Sequence, residues 1–243
     1  MRHVVLPPAT HDATHDATLS QRSLAYLRDL IVAGRIDSTR WMRMADLARA
    51  LGTSITPVRS ALMELEREGL VEIAKARGVR VIPMTREDVR DVYLLHAFLS
   101  GELAARAAAR ALPPLLEACR RLQRRMERVA AGRSKESIDD LNWKFHRLIN
   151  LEAGAPRLAR ILRQVSYSVP HAFHAMVPGW SHLAMQHHRA LIGALESGSA
   201  QEARNWAEEH VRVGCALLLE QLERSGSLGR AGAFDLIPQH LST

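Results

Sequence analysis

The chain is poor in cysteine and lacks long apolar runs. Its two cysteines, Cys119 and Cys215, are too few among 243 residues for the disulfide framework of a secreted domain. No segment approaches the roughly 20 apolar residues that a membrane-spanning helix needs. The N-terminus also lacks the basic start and apolar centre of a signal peptide. These absences predict a protein of the reducing cytoplasm that is neither exported nor embedded in a membrane.

Positive charge is in excess, with 33 Lys and Arg against 26 Asp and Glu and a net charge of +7. Most of the excess is arginine, whose planar guanidinium suits phosphates and guanine edges. Residues 19–84 hold 11 basic against 7 acidic side chains, and residues 85–225 hold 20 against 16. The same surplus therefore lies on a much shorter N-terminal segment, which favours a polyanionic partner there; charge alone leaves a merely basic protein equally open.

The length favours two domains, and both ends of the chain are predicted to be tails. Residues 1–18 contain a Pro-Pro pair and a tandem Thr-His-Asp-Ala-Thr repeat, with few large apolar residues, which is typical of a disordered tail. After about Ser225 the glycine and serine content rises, so residues 226–243 are predicted to be a second flexible tail.

Three short helices are predicted within residues 19–84. Apolar residues at helical spacing indicate a first helix from about Ser20 to Gly34 and a second over Met44–Leu51. Thr56-Pro57 is typical of an N-cap followed by a proline at the first helical position, and Gly69 ends this third helix.

A small β-hairpin follows. Leu70–Ile73 and Val79–Ile82 alternate like strands on either side of a turn at Lys75–Gly78. Helices followed by such a hairpin describe a winged helix-turn-helix, in which the third helix enters the major groove of DNA. Segment 54–59 places two hydroxyls and a guanidinium at the start of that helix, a composition suited to phosphates and guanine. A helical hairpin used for protein contact is the alternative.

This region resembles the GntR family of regulators. The residues that carry the resemblance are Asp46-Leu47-Ala48, Leu51-Gly52, Ser54, Thr56-Pro57-Val58-Arg59, Ala61-Leu62, Leu65-Glu66, Glu68-Gly69-Leu70-Val71 and Gly78. The resemblance implies that Ser54, Thr56, Arg59 and the wing residue Gly78 contact DNA, and we expect Arg43 and Lys75 to join them. Ile55 stands where the family often has a polar residue, which implies either one polar contact fewer with the operator or an apolar contact to a thymine methyl.

Beyond Thr85 no strand pattern occurs for some 140 residues. Helical patterns follow one another with short proline or glycine breaks, so residues 85–225 are predicted to be an all-α bundle of six or seven helices. The fold class is therefore mainly α, with an N-terminal winged helix-turn-helix followed by a helical effector domain.

Three histidines of this second domain lie on apolar helix faces. Asn142 and His146 are spaced i, i+4 on one face, while His188 and His210 lie on two further apolar stripes. Three imidazoles from three helices aimed at one interior can coordinate a divalent cation. Histidines satisfied within an apolar core are the alternative, and a second group, His171, His174, His182 and His187, offers other ligands.

The second domain resembles the FCD ligand-binding domain of the FadR-type GntR subfamily. Its signatures are Asn142-Trp143-Lys144-Phe145-His146-Arg147, His188-Arg189-Ala190-Leu191-Ile192, Ala194-Leu195, Gly198 and His210. The resemblance implies a divalent metal ion (Zn, Ni or Mn) that is held by Asn142, His146, His188 and His210 and helps to bind a small carboxylate effector. We also expect His96, Arg163 and His171 to contact that effector.

Two residues depart from the subfamily. Asn142 stands where aspartate is usual; its neutral amide binds metal less tightly but leaves more positive charge on the ion for an anionic effector. His96 stands where the first helix of the domain often has arginine.

These features together predict a DNA-binding repressor that is not an enzyme. It would act as a homodimer on the two half-sites of a pseudo-palindromic operator. The resemblance to the family implies that the effector relieves repression, which is the commoner outcome there, with activation as the alternative. A metal-dependent hydrolase is one alternative, although no carboxylate at HExxH-like spacing accompanies the histidines. A helical adaptor that needs no ligand is another.

Overall fold

The computed structural model describes residues 19–32, 35–110, 113–167, 177, 179–225 and 228. The predicted tails (apart from residue 228), Gly34 at the end of the first helix, and His171 and His174 lie outside the described residues. The chain divides into two compact units at the Arg86–Glu87 boundary, and the end of the last helix, from Leu222, groups with the first unit. Each unit is described by itself.

The N-terminal unit contains three helices and a hairpin, which confirms the winged helix-turn-helix. The elements are α1 (Leu19–Val32), α2 (Met44–Ala50), α3 (Ile55–Arg67), β1 (Val71–Ala74) and β2 (Gly78–Val81). The two strands are antiparallel, with Val71 opposite Val81 and Ile73 opposite Val79. The core is formed by the apolar faces that the sequence indicates; among its members are Leu27, Ile31, Leu47, Ala48, Val58, Ala61, Leu62, Leu65, Val79 and Val81.

The prediction for the start of α3 is wrong by two residues. The helix begins at Ile55 with Ser54 as N-cap, instead of beginning at Pro57 with Thr56 as N-cap. Ser and Thr are both good capping residues, and the first four N–H groups of a helix have no intrahelical partner. Pro57 is therefore the third residue of the helix instead of the first, and it is buried there. Proline is tolerated at this position because its missing N–H would have had no partner within the helix.

A segment before α2 extends the hairpin. Met42 and Val79 exchange two backbone hydrogen bonds, of 2.8 and 2.9 Å between nitrogen and oxygen. Gly78 has a φ of +100°, and a Cβ atom added to it would lie 2.2 Å from the carbonyl oxygen of Met42. This close approach is a structural reason for glycine at position 78.

A partly buried ion pair joins α1 to Glu68, the residue that follows α3. Arg28 donates from Nε and Nη2 to the two carboxylate oxygens of Glu68, at 2.8 and 2.5 Å. Arg28 is only 4% exposed. The paired geometry compensates the burial of its charge.

The second unit is all-α, as predicted. The described residues contain six helices there: α4 (Arg86–Ala108), α5 (Pro113–Ala130), α6 (Ile138–Glu152), α7 (Pro156–Ser166), α8 (Trp180–Glu196) and α9 (Ala200–Ser225). No described helix combines the length and apolar content that crossing a bilayer requires.

Helices α4 and α9 run antiparallel to each other. A Cβ at Gly101 of α4 would lie 2.5 Å from Cγ of Glu208, and Arg204 forms a 2.7 Å ion pair with Glu102. Nearer the start of α4, Tyr93 is close to Cys215; burial foremost, and the Cys215 thiol in addition, hold the Tyr93 pKa well above its usual value. His210 lies between Glu208 and Cys215 along α9, so these contacts place it beside the middle of α4.

Candidate nucleic-acid interface and metal centre

The first turns of α3 present polar side chains to solvent. Ser54, Thr56 and Arg59 are all exposed, and Ser60 donates a hydrogen bond to the backbone oxygen of Thr56 at 3.3 Å. The apolar side of the helix is buried, which fixes the polar side outward. This is the arrangement that a recognition helix needs, with short polar side chains and a guanidinium near its N-terminus.

Two apolar side chains of α3, Ile55 and Met63, are also exposed. Ile55 is the first residue of the helix, beside Ser54 and Thr56. Exposed apolar groups at such positions suit thymine methyl groups in the major groove.

The other predicted DNA contacts lie at the start of α2 and in the hairpin. Arg43 is the exposed N-cap residue of α2, and Lys75 is exposed in the turn between the strands. Gly78 is half-buried beside Met42, so its lack of a side chain serves the internal packing of the wing.

Sequence reasoning missed an aromatic residue at the wing. The guanidinium carbons of Arg77 and Arg80 lie 5.9 and 5.1 Å from the centroid of the Trp41 ring. Arg80 also forms a 2.6 Å ion pair with Glu72 on the facing strand. No local pattern links Trp41 to the hairpin, because the contact depends on the Met42–Val79 pairing.

Three histidines from three helices meet in the second unit. His146 of α6, His188 of α8 and His210 of α9 each place a ring nitrogen within 4.8 Å of the others. The Nε2 atoms of His146 and His188 are 3.2 Å apart. The prediction that these three imidazoles converge is therefore confirmed, and the group is able to hold a metal ion.

Aromatic neighbours hold the imidazoles in place. The ring of Phe145 stacks on His188 with centroids 4.3 Å apart, and Trp180 packs against His210 at 4.9 Å. His188 is fully buried and His210 nearly so, while His146 is half-buried. Aromatic side chains thus pack against these imidazoles, which limits the competition of water for a metal ion bound there.

Asn142 supplies a further observation that fits a metal ion. It lies one helical turn before His146 on α6, and its Oδ1 is buried with no hydrogen-bond partner among the described residues. A buried oxygen without a partner is costly, and amide oxygens are metal ligands. The residues present therefore fit a divalent cation held by three neutral imidazoles, with a neutral amide beside them.

Of the alternative histidine ligands, the two that the structure describes, His182 and His187, are not part of this group. His187 is buried with its ring centroid 5.8 Å from that of His210, and burial foremost lowers its pKa, partly opposed by Glu209. His182 is exposed and contacts Gln186. His171, which was also expected to contact the effector, lies outside the described residues.

The structure brings His96 and α7 together. Nε2 of His96 is 3.4 Å from Oγ of Ser166, while its Nδ1 and the Tyr93 hydroxyl are buried without hydrogen-bond partners among the described residues. Burial lowers the His96 pKa from 6.5 to about 4. Arg163 is exposed, one turn before Ser166. His96 therefore offers neutral hydrogen-bonding atoms rather than the positive charge of an arginine.

The sequence matches two family descriptions. Residues 19–81 match "Bacterial regulatory proteins, gntR family", and residues 91–213 match "FCD domain". The first covers the winged unit including α3, and the second covers His146, His188 and His210.

Two bacterial proteins described as regulators align with the chain. It is 30% identical over 206 residues to the "Probable D-xylose utilization operon transcriptional repressor" of Paenarthrobacter nicotinovorans, covering 82% of this chain and 90% of the relative. It is 26% identical over 150 residues to an uncharacterized HTH-type transcriptional regulator of Mycobacterium tuberculosis. That alignment covers 62% of this chain and spans 60% of the relative's length.

Solved structures share the fold. The chain matches McbR/YncC of Escherichia coli with a TM-score of 0.67 and 20% identity, over 86% of this chain and all of that one. A GntR regulator of Rhodococcus sp. RHA1 matches with a TM-score of 0.55 and 21% identity, over 83% and 97% of the two chains. Both the resemblance to the GntR family and the mainly α fold class are confirmed. The chain belongs to the GntR family of bacterial regulatory proteins, with a C-terminal FCD domain.

Proposed function

We propose that this regulator is a homodimeric repressor whose hold on operator DNA is modulated by a small carboxylate effector bound at a metal ion in the FCD domain. The observation that carries the proposal is the convergence of His146, His188 and His210 within 4.8 Å. A DNA-reading unit and a ligand-binding centre on one chain are the two parts that a ligand-responsive regulator needs.

In this proposal α3 reads the operator. Ser54 and Thr56 bind phosphates through their hydroxyls, and Arg59 donates to a guanine edge or a phosphate. Arg43 and Lys75 add phosphate contacts from the start of α2 and from the hairpin turn. The exposure of all five side chains supports this assignment.

The metal ion would be held by the three imidazoles, with the Asn142 oxygen as a fourth donor. When bound, a divalent ion (Zn, Ni or Mn) supplies positive charge to a site that otherwise holds neutral donors. Because none of the four donors is anionic, the full charge of the ion remains available to an effector carboxylate. Metal affinity is correspondingly lower than with an aspartate in place of Asn142.

The opposite end of the effector would meet polar groups without charge. His96 is neutral near pH 7 because burial lowers its pKa to about 4. Its Nδ1 and the Tyr93 hydroxyl have no hydrogen-bond partner among the described residues, so both can serve a ligand. This chemistry favours a hydroxylated carboxylate over one that needs a second cation. Arg163 and His171 remain proposed contacts.

Regulation follows from differential affinity. An effector shifts the equilibrium between two arrangements of the dimer only if it binds one of them more tightly. If that arrangement places the two winged units poorly on the half-sites, the effector releases the operator and relieves repression.

Metal content tests the proposal directly. We expect the wild-type protein to purify with close to one divalent ion per chain, and His188→Ala to lose it, because His188 is fully buried at the centre. His182→Ala is the matched control, since His182 lies on the same helix but is exposed. Elemental analysis after gel filtration gives the ratio. Equal metal content in wild type and His188→Ala would remove the site assignment.

Operator binding and effector response are tested separately. We expect the wild-type protein to shift the DNA upstream of its own gene in a gel-shift titration, and hydroxylated organic acids to reverse the shift. His188→Ala should keep DNA binding and lose the response. A response unchanged in that variant would contradict the role of the metal centre in effector binding.

A further inference from the structure

A tryptophan lies on the outer face of the hairpin. Trp41 and Tyr26 are the two aromatic residues between positions 19 and 84. Within the described part of the chain Tyr26 packs against the apolar core, whereas Trp41 is not among the residues that do so. Met42 pairs with Val79 and packs against the core, so alternation turns the neighbouring Trp41 outward. Packing of the core therefore does not explain a half-buried tryptophan at this position.

The outer face holds a row of three side chains across the strands. The pairing before α2, continued by one residue, brings Trp41 opposite Arg80. Arg80 in turn lies opposite Glu72. The guanidinium carbon of Arg80 is 5.1 Å from the centroid of the Trp41 ring, and its Nη2 is 2.6 Å from Oε2 of Glu72. The charge of Arg80 is therefore already offset by a carboxylate.

Arg77 also contacts the ring but has no carboxylate. It is exposed in the turn between the strands, and its guanidinium carbon lies 5.9 Å from the Trp41 centroid. It forms no ion pair with any residue that the structure describes. A guanidinium at this distance is attracted to the face of the ring, although the attraction adds little to stability at an exposed site. The contact acts mainly on the side chain, because an arginine held against a ring has less freedom to lose when it binds an anion.

We propose that Trp41 is a positioning residue for DNA binding, whose ring holds the guanidinium of Arg77 in place for a backbone phosphate. A carboxylate would neutralise this arginine, whereas a neutral ring orients it and leaves its charge to the phosphate. Lys75 lies in the same turn and Arg43 is two residues from Trp41, and both are exposed, so the surroundings are positive as well. The inference rests on the operator binding of the proposed function and adds two residues to it.

Operator affinity over a salt series tests the role of the ring. We expect Trp41→Leu to weaken binding about tenfold over the two half-sites, measured by fluorescence anisotropy of labelled DNA. The salt slope should stay as in wild type, because Arg77 keeps its charge and loses only its fixed position. Trp41→Phe should restore most of the affinity, since phenylalanine keeps an aromatic face.

Trp206→Leu is the matched control. Trp206 is the exposed tryptophan of α9, and its replacement should leave operator affinity unchanged. Wild-type affinity in Trp41→Leu would overturn the inference. Equal losses with leucine and with phenylalanine at position 41 would do the same, because the aromatic face would then not be the cause.

A double-mutant cycle tests whether the ring acts through Arg77. Arg77→Ala should lower operator affinity and reduce the salt slope by about one for each phosphate contact that is lost. Adding Trp41→Leu to Arg77→Ala should then cost less than about twofold, because the ring has no guanidinium left to hold. Losses that simply add, or a wild-type slope in Arg77→Ala, would contradict the proposal.

A charge-conserving change gives a test that leaves position 41 untouched. Arg77→Lys keeps the positive charge but lacks the planar group that stacks on a ring. We expect a wild-type salt slope and an affinity between those of wild type and Arg77→Ala. Wild-type affinity in the lysine variant would overturn the inference and leave the proposed function standing. A wild-type chain that does not bind its operator at all would overturn both.

Discussion

His96 is a single imidazole whose burial makes the second unit sensitive to acid. Its pKa is about 4 in the folded protein, because burial disfavours the charged ring, against 6.5 for an exposed histidine. Between these values the unfolded chain binds more protons than the folded one, so stability falls as pH falls from about 6.5 towards 4. We expect His96→Gln to reduce this loss, measured as the difference in Tm between pH 7.5 and pH 5. His182→Gln, at an exposed position, should behave as wild type; an unchanged pH dependence in His96→Gln would contradict the account.

Both the packing around position 78 and its backbone conformation favour glycine there. A Cβ there would lie 2.2 Å from the Met42 oxygen, and the φ of +100° is itself unfavourable for other residues. We expect Gly78→Ala to destabilise the N-terminal unit by about 2–4 kcal/mol in urea unfolding. Gly69→Ala is the matched control: its φ is +73° but no atom lies within 4 Å of the added Cβ, so its cost should be about 1 kcal/mol. Equal costs would show that the approach to Met42 is not limiting.

At the scale of elements, the ion pair between Arg28 and Glu68 connects α1 to the end of α3 and stabilises their packing. Glu68→Ala would leave the buried guanidinium of Arg28 without its carboxylate. We expect a loss of about 2–3 kcal/mol in unfolding free energy, less than for a fully buried pair because the Glu68 side chain is 30% exposed. Glu64→Ala removes the exposed pair with Arg67 and should cost at most about 1 kcal/mol. A smaller loss for Glu68→Ala than for Glu64→Ala would refute this ranking.

Much of each element could be predicted from local sequence. The presence of the hairpin and the buried face of α3 follow from alternation and helical spacing, which act over a few residues. The strand bounds were each wrong by one residue, since β1 is Val71–Ala74 rather than 70–73 and β2 is Gly78–Val81 rather than 79–82. The start of α3 could not be fixed in this way, because Ser54 and Thr56 are both good caps and only the structure decides between them. The contact of Trp41 with Arg77 was not predictable, since it depends on chain pairing 37 residues apart between Met42 and Val79.

The proposed metal centre could likewise be predicted from the sequence only in part. Helical periodicity predicts which side of α6, α8 and α9 faces the interior, and so identifies His146, His188 and His210 as a group. It does not give the distances between rings, which depend on how the three helices pack. The exposure of Leu94 and Phe98 on α4 was missed as well, because a helix with two apolar sides has no single face that periodicity can assign.

At the scale of the whole molecule, ion pairs between basic side chains and DNA phosphates should make operator binding depend on salt. With a net charge of +7, the protein should lose operator affinity steeply between 50 and 200 mM salt, by about a thousandfold or more if six or more phosphates are contacted. Fluorescence anisotropy over a salt series measures the slope.

Arg59→Ala distinguishes the two possible roles of that side chain. If Arg59 reads a base, the variant should lose roughly 1–3 kcal/mol on the operator and little on unrelated DNA; a phosphate contact would give a uniform loss and a slope reduced by about one. Arg67→Ala, in the last turn of α3, is the control and should bind both DNAs as wild type does. Normal operator affinity in Arg59→Ala would exclude contact by this residue.

The donors at the proposed metal centre are all nitrogen or amide oxygen, and the two thiols of the chain, Cys119 and Cys215, are buried elsewhere, with pKa values that burial raises. Peroxide and other mild oxidants attack thiolates, so they have no ligand to attack at this centre. Protons do compete for the ligands, because imidazole binds a metal ion only in its neutral form. If the proposed centre holds an ion, a chelator or a drop in pH, rather than oxidative stress, is therefore the treatment that would remove it.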